Sequence, residues 1–210
     1  MMETELFNRE YQKISKKVDG RLKEFSQILD KKDIFYELAF CLLTPQSNAK
    51  RCAEAIGMIK DKKLYEGNLN LEVIRDVLRT RTRFHNNKAN YLLNLKSVFD
   101  DLWKEFDLTK KFSEAGVIRE WLVENVKGIG LKEASHFLRN IGFRNLAILD
   151  RHILKNLDKS GVLKINPKSL NKNEYLLIEK DFLQFSQKVG VEMDKLDLYF
   201  WYCETGEVFK

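Results

Sequence analysis

The residues best suited to chemistry lie in one stretch, Leu122-Val-Glu-Asn-Val-Lys-Gly128-Ile129-Gly130-Leu-Lys132-Glu-Ala-Ser-His136-Phe-Leu-Arg139-Asn140. It reads as a helix, a Gly-x-Gly hairpin and a second helix. Glycine lacks a side chain and tolerates unusual dihedrals, so consecutive backbone N–H groups around Gly128 and Gly130 can approach an anion at the positive end of the second helix. Such a contact grips a DNA phosphate without reading sequence. A tight connection between two helices would explain the same Gly-Ile-Gly turn. Two residues beyond Gly130 stands Lys132, and eighteen beyond that stands Asp150, within Ala147-Ile-Leu-Asp150-Arg151-His152-Ile. Each has an ordinary reading by itself: Lys132 as a solvated lysine, Asp150 as the cap of the helix that follows it. His136 and His152 fall on helices, where packing or hydrogen bonding suits them better than a role as base or ligand.

Helices must position these residues. With 2 Pro and 10 Gly in 210 residues, the chain has few turns for an all-β fold. Apolar residues recur at three- and four-residue intervals instead, as one face of a helix requires. Ile34, Leu38 and Leu42 mark a helix that stops at Thr44-Pro45. Ala49, Cys52, Ala53, Ile56 and Ile59 mark the next, with Ser47 or Asn48 available as its cap. The pattern predicts further helices at 71–79, 87–99 and 113–125, the last with Ser113 as cap and Val117, Trp121 and Leu122 inward. It also predicts helices near 131–141, 151–160, 173–189 and 193–204, with a loop containing Pro167 between the second and third of these. The final stretch, Leu196-Asp-Leu-Tyr-Phe-Trp-Tyr-Cys203, is unusually aromatic and should fold inward.

Composition narrows the function classes. At 44% hydrophobic and 32% charged, the chain can bury a sizeable core, and a formal charge of +6 makes it modestly basic. Between Arg75 and Tyr91 lie five basic residues (Arg75, Arg79, Arg81, Arg83, Lys88) and one acid, Asp76. That run is read either as a solvated helix end or as a nucleic-acid contact. The three cysteines, Cys41, Cys52 and Cys203, have no spacing that would hold zinc or an iron–sulfur cluster. No apolar run reaches the roughly 18 to 20 residues of a membrane span, and the first residues lack the apolar core of a signal peptide, so an intracellular protein is expected.

The string Lys-Gly-Ile-Gly-x-Lys-Glu-Ala-Ser-His-Phe-Leu-Arg-Asn, followed by Ile-Leu-Asp-Arg-His-Ile, closely resembles the helix-hairpin-helix Gly/Pro/Asp superfamily of DNA glycosylases. Within it the chain resembles the archaeal-type 8-oxoguanine DNA glycosylase/AP lyase family. The likeness extends through Phe40-Cys-Leu-Leu-Thr44, Arg83-Phe84, Lys88-Ala89-x-Tyr91 and Leu196-Asp-Leu-Tyr-x-Trp201-Tyr, nearly the whole chain. In place of the more usual Thr-Ala-Asn, the first loop reads Thr44-Pro-Gln-Ser-Asn-Ala49.

The resemblance implies an all-α, two-lobed glycosylase without an iron–sulfur cluster or other cofactor. Residues 34–144, with the helix-hairpin-helix at about 118–140, would form one lobe; 1–33 and 145–210 would form the other. Lys132 would attack the sugar carbon bearing 8-oxoguanine, giving a Schiff base and allowing β-elimination of the 3′ phosphate. Its amine must be neutral to attack, which a cationic, partly desolvated surrounding would favour, and Arg139 and Arg151 are near in sequence. Asp150 would stabilise positive charge on the sugar. Gly128 and Gly130 would hold the DNA backbone, Gln46 or Asn48 would fill the space left by the flipped base, and Arg83 with Phe84 would wedge beside the opposite base. Trp201 would wall the pocket and the carboxylate at Lys210 would recognise the oxidised guanine. The expected partner is duplex DNA containing 8-oxoguanine, met by a monomer in a prokaryotic cytoplasm at the nucleoid. Two alternatives stay open: a same-fold bifunctional glycosylase for another lesion, and a non-catalytic helix-hairpin-helix DNA-binding module.

Overall fold

From Ile34 to Leu43 every residue but Glu37 is apolar or aromatic, and a helix that is apolar all round has to be surrounded. A computed structural model of the chain, describing residues 9–28, 30–67, 69–110, 114–163 and 169–210, builds this stretch into a central helix with all ten residues buried. Among the described residues the helices run α1 (Ser15–Ser26), α2 (Lys31–Leu43), α3 (Ala49–Asp61), α4 (Leu71–Arg79), α5 (His85–Glu105), α6 (Ala115–Asn125), α7 (Leu131–Asn140), α8 (Arg151–Lys159), α9 (Lys172–Val189) and α10 (Met193–Thr205), with no strand.

Side-chain caps set several helix starts, each satisfying backbone N–H groups that the first turn leaves open. Asp30 accepts from Lys32 N and Asp33 N at the head of α2; Asn48 accepts from Arg51 N and Asn70 from Val73 N, opening α3 and α4. Asn171 and Glu174 form a reciprocal capping box on α9. The helix expected at 87–99 is longer than its marker residues, because Leu102 continues the buried stripe of Leu92, Leu95 and Phe99 by another turn. In α6 the inward face is turned from the expected one: Val117 is 59% exposed, while Ile118, Arg119 and Leu122 are buried. A charge on that face misleads the pattern; the buried Arg119 guanidinium is paired with Glu179 of α9 at 2.6 and 2.9 Å. Ser113 and Pro167 lie outside the described residues.

The apolar residues gather into two clusters. One draws on residues between Ile34 and Leu146, with α2 at its centre; the other draws on Tyr11 to Phe25 and Ala147 to Phe200, where α1, α8 and α10 meet. Polar contacts fasten the junction. Arg139 of α7 donates to Asp197 of α10 at 3.0 Å, Arg144 donates to the Leu22 carbonyl at 3.0 Å, and Glu179 accepts from Ala147 N at 2.7 Å. The final aromatic stretch does fold inward, with Leu198, Tyr199 and Phe200 buried.

Candidate active site

The hairpin places its two glycines under different constraints. Gly128 has φ of +93°, and a Cβ there would sit 2.6 Å from carbons of the Tyr91 ring on α5, so both backbone and packing demand glycine. Gly130 has φ of −109°, open to any residue, and an added Cβ would meet Glu133 Oε2 at 3.3 Å. Ile129 between them is buried in the first cluster and pins the turn. Gly130 is the N-cap of α7 and offers no side-chain cap, so the first N–H groups of α7 remain available to an outside acceptor.

Lys132 and Asp150 line one cleft of about 1360 Å³, approached from α7 on one side and from the head of α8 on the other. Lys132 is partly exposed, and its Nζ lies 2.8 Å from Oε1 of Glu133, the next residue. Its close charged neighbour is therefore a carboxylate. Of the cations near in sequence, Arg139 is turned to Asp197 and Arg151 Nε lies 3.3 Å from His152 Nε2. Asp150 caps α8: its Oδ1 accepts from His152 N at 2.8 Å and Ile153 N at 2.9 Å. The ordinary reading of this aspartate thus holds, and it coexists with a place in the cleft wall, because both bonds fall on one carboxylate oxygen.

The far wall carries Trp201, edge-on to His152 at 5.1 Å, and Lys210. Lys210 Nζ donates to Glu37 Oε2 at 2.6 Å and lies 4.6 Å from the centre of the Phe40 ring, while Asn140 donates to the other Glu37 oxygen at 2.7 Å. A buried carboxylate on the central helix therefore holds the chain end against the cleft. His136 faces the same end: it packs edge-on to Phe40 at 5.8 Å and its buried Nε2 has no protein partner. Burial, reinforced by the positive charges of Arg139, Lys132 and Lys210, holds its imidazole well below the usual histidine range, against a hydrogen bond to main-chain oxygen of Lys210 that favours protonation. Asp197 is also in the wall; burial pushes its carboxyl up, and Arg139 opposes that.

Gln46, Asn48 and Arg83 reach the rim of the cleft. Gln46 is exposed at φ of +53°, whereas Asn48 turns its Oδ1 to the α3 cap. Phe84 is 52% exposed at φ of +58°, with the Arg83 guanidinium 5.5 Å from its ring centre. The cleft lining takes in Lys132, Asp150, Gln46, Asn48, Arg83, Trp201 and Lys210, and leaves out Gly128, Gly130 and Phe84. Within the basic run, Arg75 and Arg79 pair with Glu72 and Asp76 one turn earlier, and Lys88 is buried, so little of it is free positive surface. Glu133 lines the cleft, while Glu37 and Lys88 lie outside the lining and hold Lys210 and the Gln46 loop, and none of these roles was read from the sequence. Only the Glu that follows Lys132 could have been suspected, as an acid in a first turn.

A family described as 8-oxoguanine DNA glycosylase matches residues 18–191. The chain is 42% identical to an 8-oxoguanine DNA glycosylase/AP lyase of Fusobacterium nucleatum, over all of both chains. It is 38% identical to one of Korarchaeum cryptofilum, covering 92% of this chain and 90% of the relative. Its structure matches that of the Methanocaldococcus jannaschii 8-oxoguanine glycosylase/lyase in complex with a 15mer DNA containing 8-oxoguanine, with a TM-score of 0.87, 34% identity and full coverage of both. The Thermotoga maritima 8-oxoguanine DNA glycosylase matches with a TM-score of 0.82 and 32% identity, over 99% of this chain and all of that one. The helices, hairpin and cleft described above are those of a protein that belongs to the 8-oxoguanine DNA glycosylase family.

Proposed function

We propose that this chain excises 8-oxoguanine from duplex DNA and then cleaves the strand at the abasic site. The observation that carries the reading is the meeting of Lys132 and Asp150, from two different helices, in one cleft that Trp201 and Lys210 also line. The free Lys132 amine attacks C1′ of the damaged nucleoside, and the base leaves with the electrons of the glycosidic bond and takes up a proton. The sugar ring opens as O4′ gains a proton, leaving an imine between Nζ and C1′. Loss of a C2′ proton then expels the 3′ phosphate, and water releases the lysine. Asp150, held by two backbone N–H groups, faces the positive charge that builds on the sugar as the base departs.

The other residues deliver the lesion. The open N–H groups of α7 after Gly128-Ile129-Gly130 take a backbone phosphate, in keeping with the sequence-independent grip such a site gives. Gln46, whose side chain is not tied up in a helix cap as that of Asn48 is, fills the vacated stack with Asn48 beside it, and Arg83 with Phe84 wedges at the opposite base. The displaced base lies against Trp201 and meets the main chain of Lys210. In this reading residues 34–144 act as one lobe and 1–33 with 145–210 as the second, DNA lying between them, with one chain per lesion. Among the described residues no helix is long and apolar enough to cross a membrane.

The test is excision, in EDTA, of 8-oxoguanine, an oxidised pyrimidine and uracil from otherwise identical duplexes. Fastest release of 8-oxoguanine is expected. Faster release of either pyrimidine would move the chain's lesion preference elsewhere within the fold.

A further inference from the structure

Lys88 of α5 is 96% removed from solvent yet carries an ammonium, which a fold tolerates only where acceptors replace the lost water. Its Nζ has three: the Leu43 carbonyl, the Pro45 carbonyl and Ser47 Oγ, each at 2.8 Å. All three lie in or at the root of the loop between α2 and α3 that presents Gln46 and Asn48. An ammonium has three donors, so this one is fully committed to that loop.

Ser47 passes the connection on. Its Oγ also accepts from Arg83 N at 2.9 Å and donates to the Pro45 carbonyl at 3.3 Å, which completes the bonding capacity of a hydroxyl. One buried cation and one hydroxyl thus join two loops that are 36 residues apart in sequence. Both loops carry a non-glycine residue in the left-handed region, Gln46 at φ +53° and Phe84 at φ +58°, a conformation that persists only where surroundings enforce it. An apolar side chain at 88 would pack but would leave the Leu43 carbonyl with only the weak Cys52 thiol donor and the Pro45 carbonyl with only the Ser47 hydroxyl, both at 3.3 Å.

We propose that Lys88, acting through Ser47, is the positioning residue that fastens the Gln46 loop and the Arg83-Phe84 turn into one rigid wedge for entry into the base stack. The inference rests on the reading of those loops as stack-filling elements. A rigid wedge matters where the protein must break a base pair and drops out where the lesion is already unpaired.

The experiment compares Lys88→Met, Ser47→Ala, Gln46→Ala and Phe84→Ala with the parent on three substrates. These are 8-oxoguanine opposite cytosine, 8-oxoguanine opposite a tetrahydrofuran spacer, and a single-stranded abasic oligonucleotide. On the paired lesion, Lys88→Met and Ser47→Ala slow single-turnover excision roughly 10- to 100-fold, the scale of a small misplacement, and on the other two substrates Lys88→Met stays within about threefold of the parent. Ser47→Ala keeps the test alive should Lys88→Met not fold. Equal slowing by Ser47→Ala on all three substrates overturns the proposal, since a merely structural defect does not distinguish paired from unpaired lesions. Slowing by Gln46→Ala and Phe84→Ala with none by Lys88→Met or Ser47→Ala overturns this inference alone. Full paired-lesion activity in Gln46→Ala and Phe84→Ala removes the stack-filling reading, and this inference falls with it.

Discussion

Lys132 Nζ stands 2.8 Å from Oε1 of Glu133, an ion pair between consecutive residues in the first turn of α7. An ion pair requires the ammonium and nucleophilic attack requires the amine, so the pair has to open before chemistry. A partly exposed pair of this kind is worth about 0.5–1 kcal/mol, which makes Glu133→Gln about two- to fivefold faster in imine formation near neutral pH. Stopped borohydride trapping on an abasic duplex measures it; a slower Glu133→Gln would instead make Glu133 the acceptor of the lysine proton.

The two hairpin glycines separate fold from binding. Gly128→Ala meets a left-handed φ and the Tyr91 ring at once, and should destabilise the protein by about 1–3 kcal/mol in thermal or denaturant unfolding. At Gly130 the backbone is permissive and the nearest obstacle is the end of the Glu133 side chain. Gly130→Ala should therefore unfold within about 0.5 kcal/mol of the parent while binding duplex DNA more weakly, because the added methyl crowds the head of α7. Unchanged affinity would reduce the hairpin to a helix connection.

Much of this architecture was legible because apolar spacing reports buried faces directly: Ile34, Leu38 and Leu42 mark α2, and Leu71 to Arg79 is bounded as expected. The pattern failed where a buried face is polar. Arg119 disguised the inner face of α6, and the buried roles of Lys88 and Glu37 leave no mark in the spacing because their partners, Ser47, Asn140 and Lys210, are distant in sequence. Lys132 and Asp150 were found by resemblance; their spacing alone could not say that α7 and α8 turn them toward one cleft. The cap was legible, since Asp150 stands directly before the helix; its second place, in the cleft wall, was not.

That double duty can be divided. Asp150→Asn keeps an acceptor for His152 N and Ile153 N, so stability should stay within about 0.5 kcal/mol of the parent, whereas Asp150→Ala loses about 1 kcal/mol with the cap. Both remove the negative charge, and both should slow excision by about 100-fold or more. Equal activity of Asp150→Asn and the parent would leave only the cap.

Lys88 gives the enzyme a pH signature. Burial brings its pKa down to about 8, with Lys132 and Arg83 lowering it further and Cys52 and Glu133 working the other way. The unfolded chain keeps this lysine charged to about 10.4. Between those values the unfolded state binds more protons, so this group's contribution to stability rises with pH while the folded ammonium loses its third donor. Excision of a cytosine-paired lesion, relative to a spacer-paired one, should fall as pH rises through about 8 with no loss of melting temperature from this group. Lys88→Met should show no such step in the ratio.

The most direct test of the account is covalent trapping. An end-labelled duplex with one 8-oxoguanine is mixed with the protein in EDTA and sodium borohydride, and the same is done with Lys132→Gln. A trapped complex formed by the parent and abolished by the substitution is predicted. Trapping that survives Lys132→Gln, or excision without any trappable complex, would contradict the assignment of Lys132 as the nucleophile.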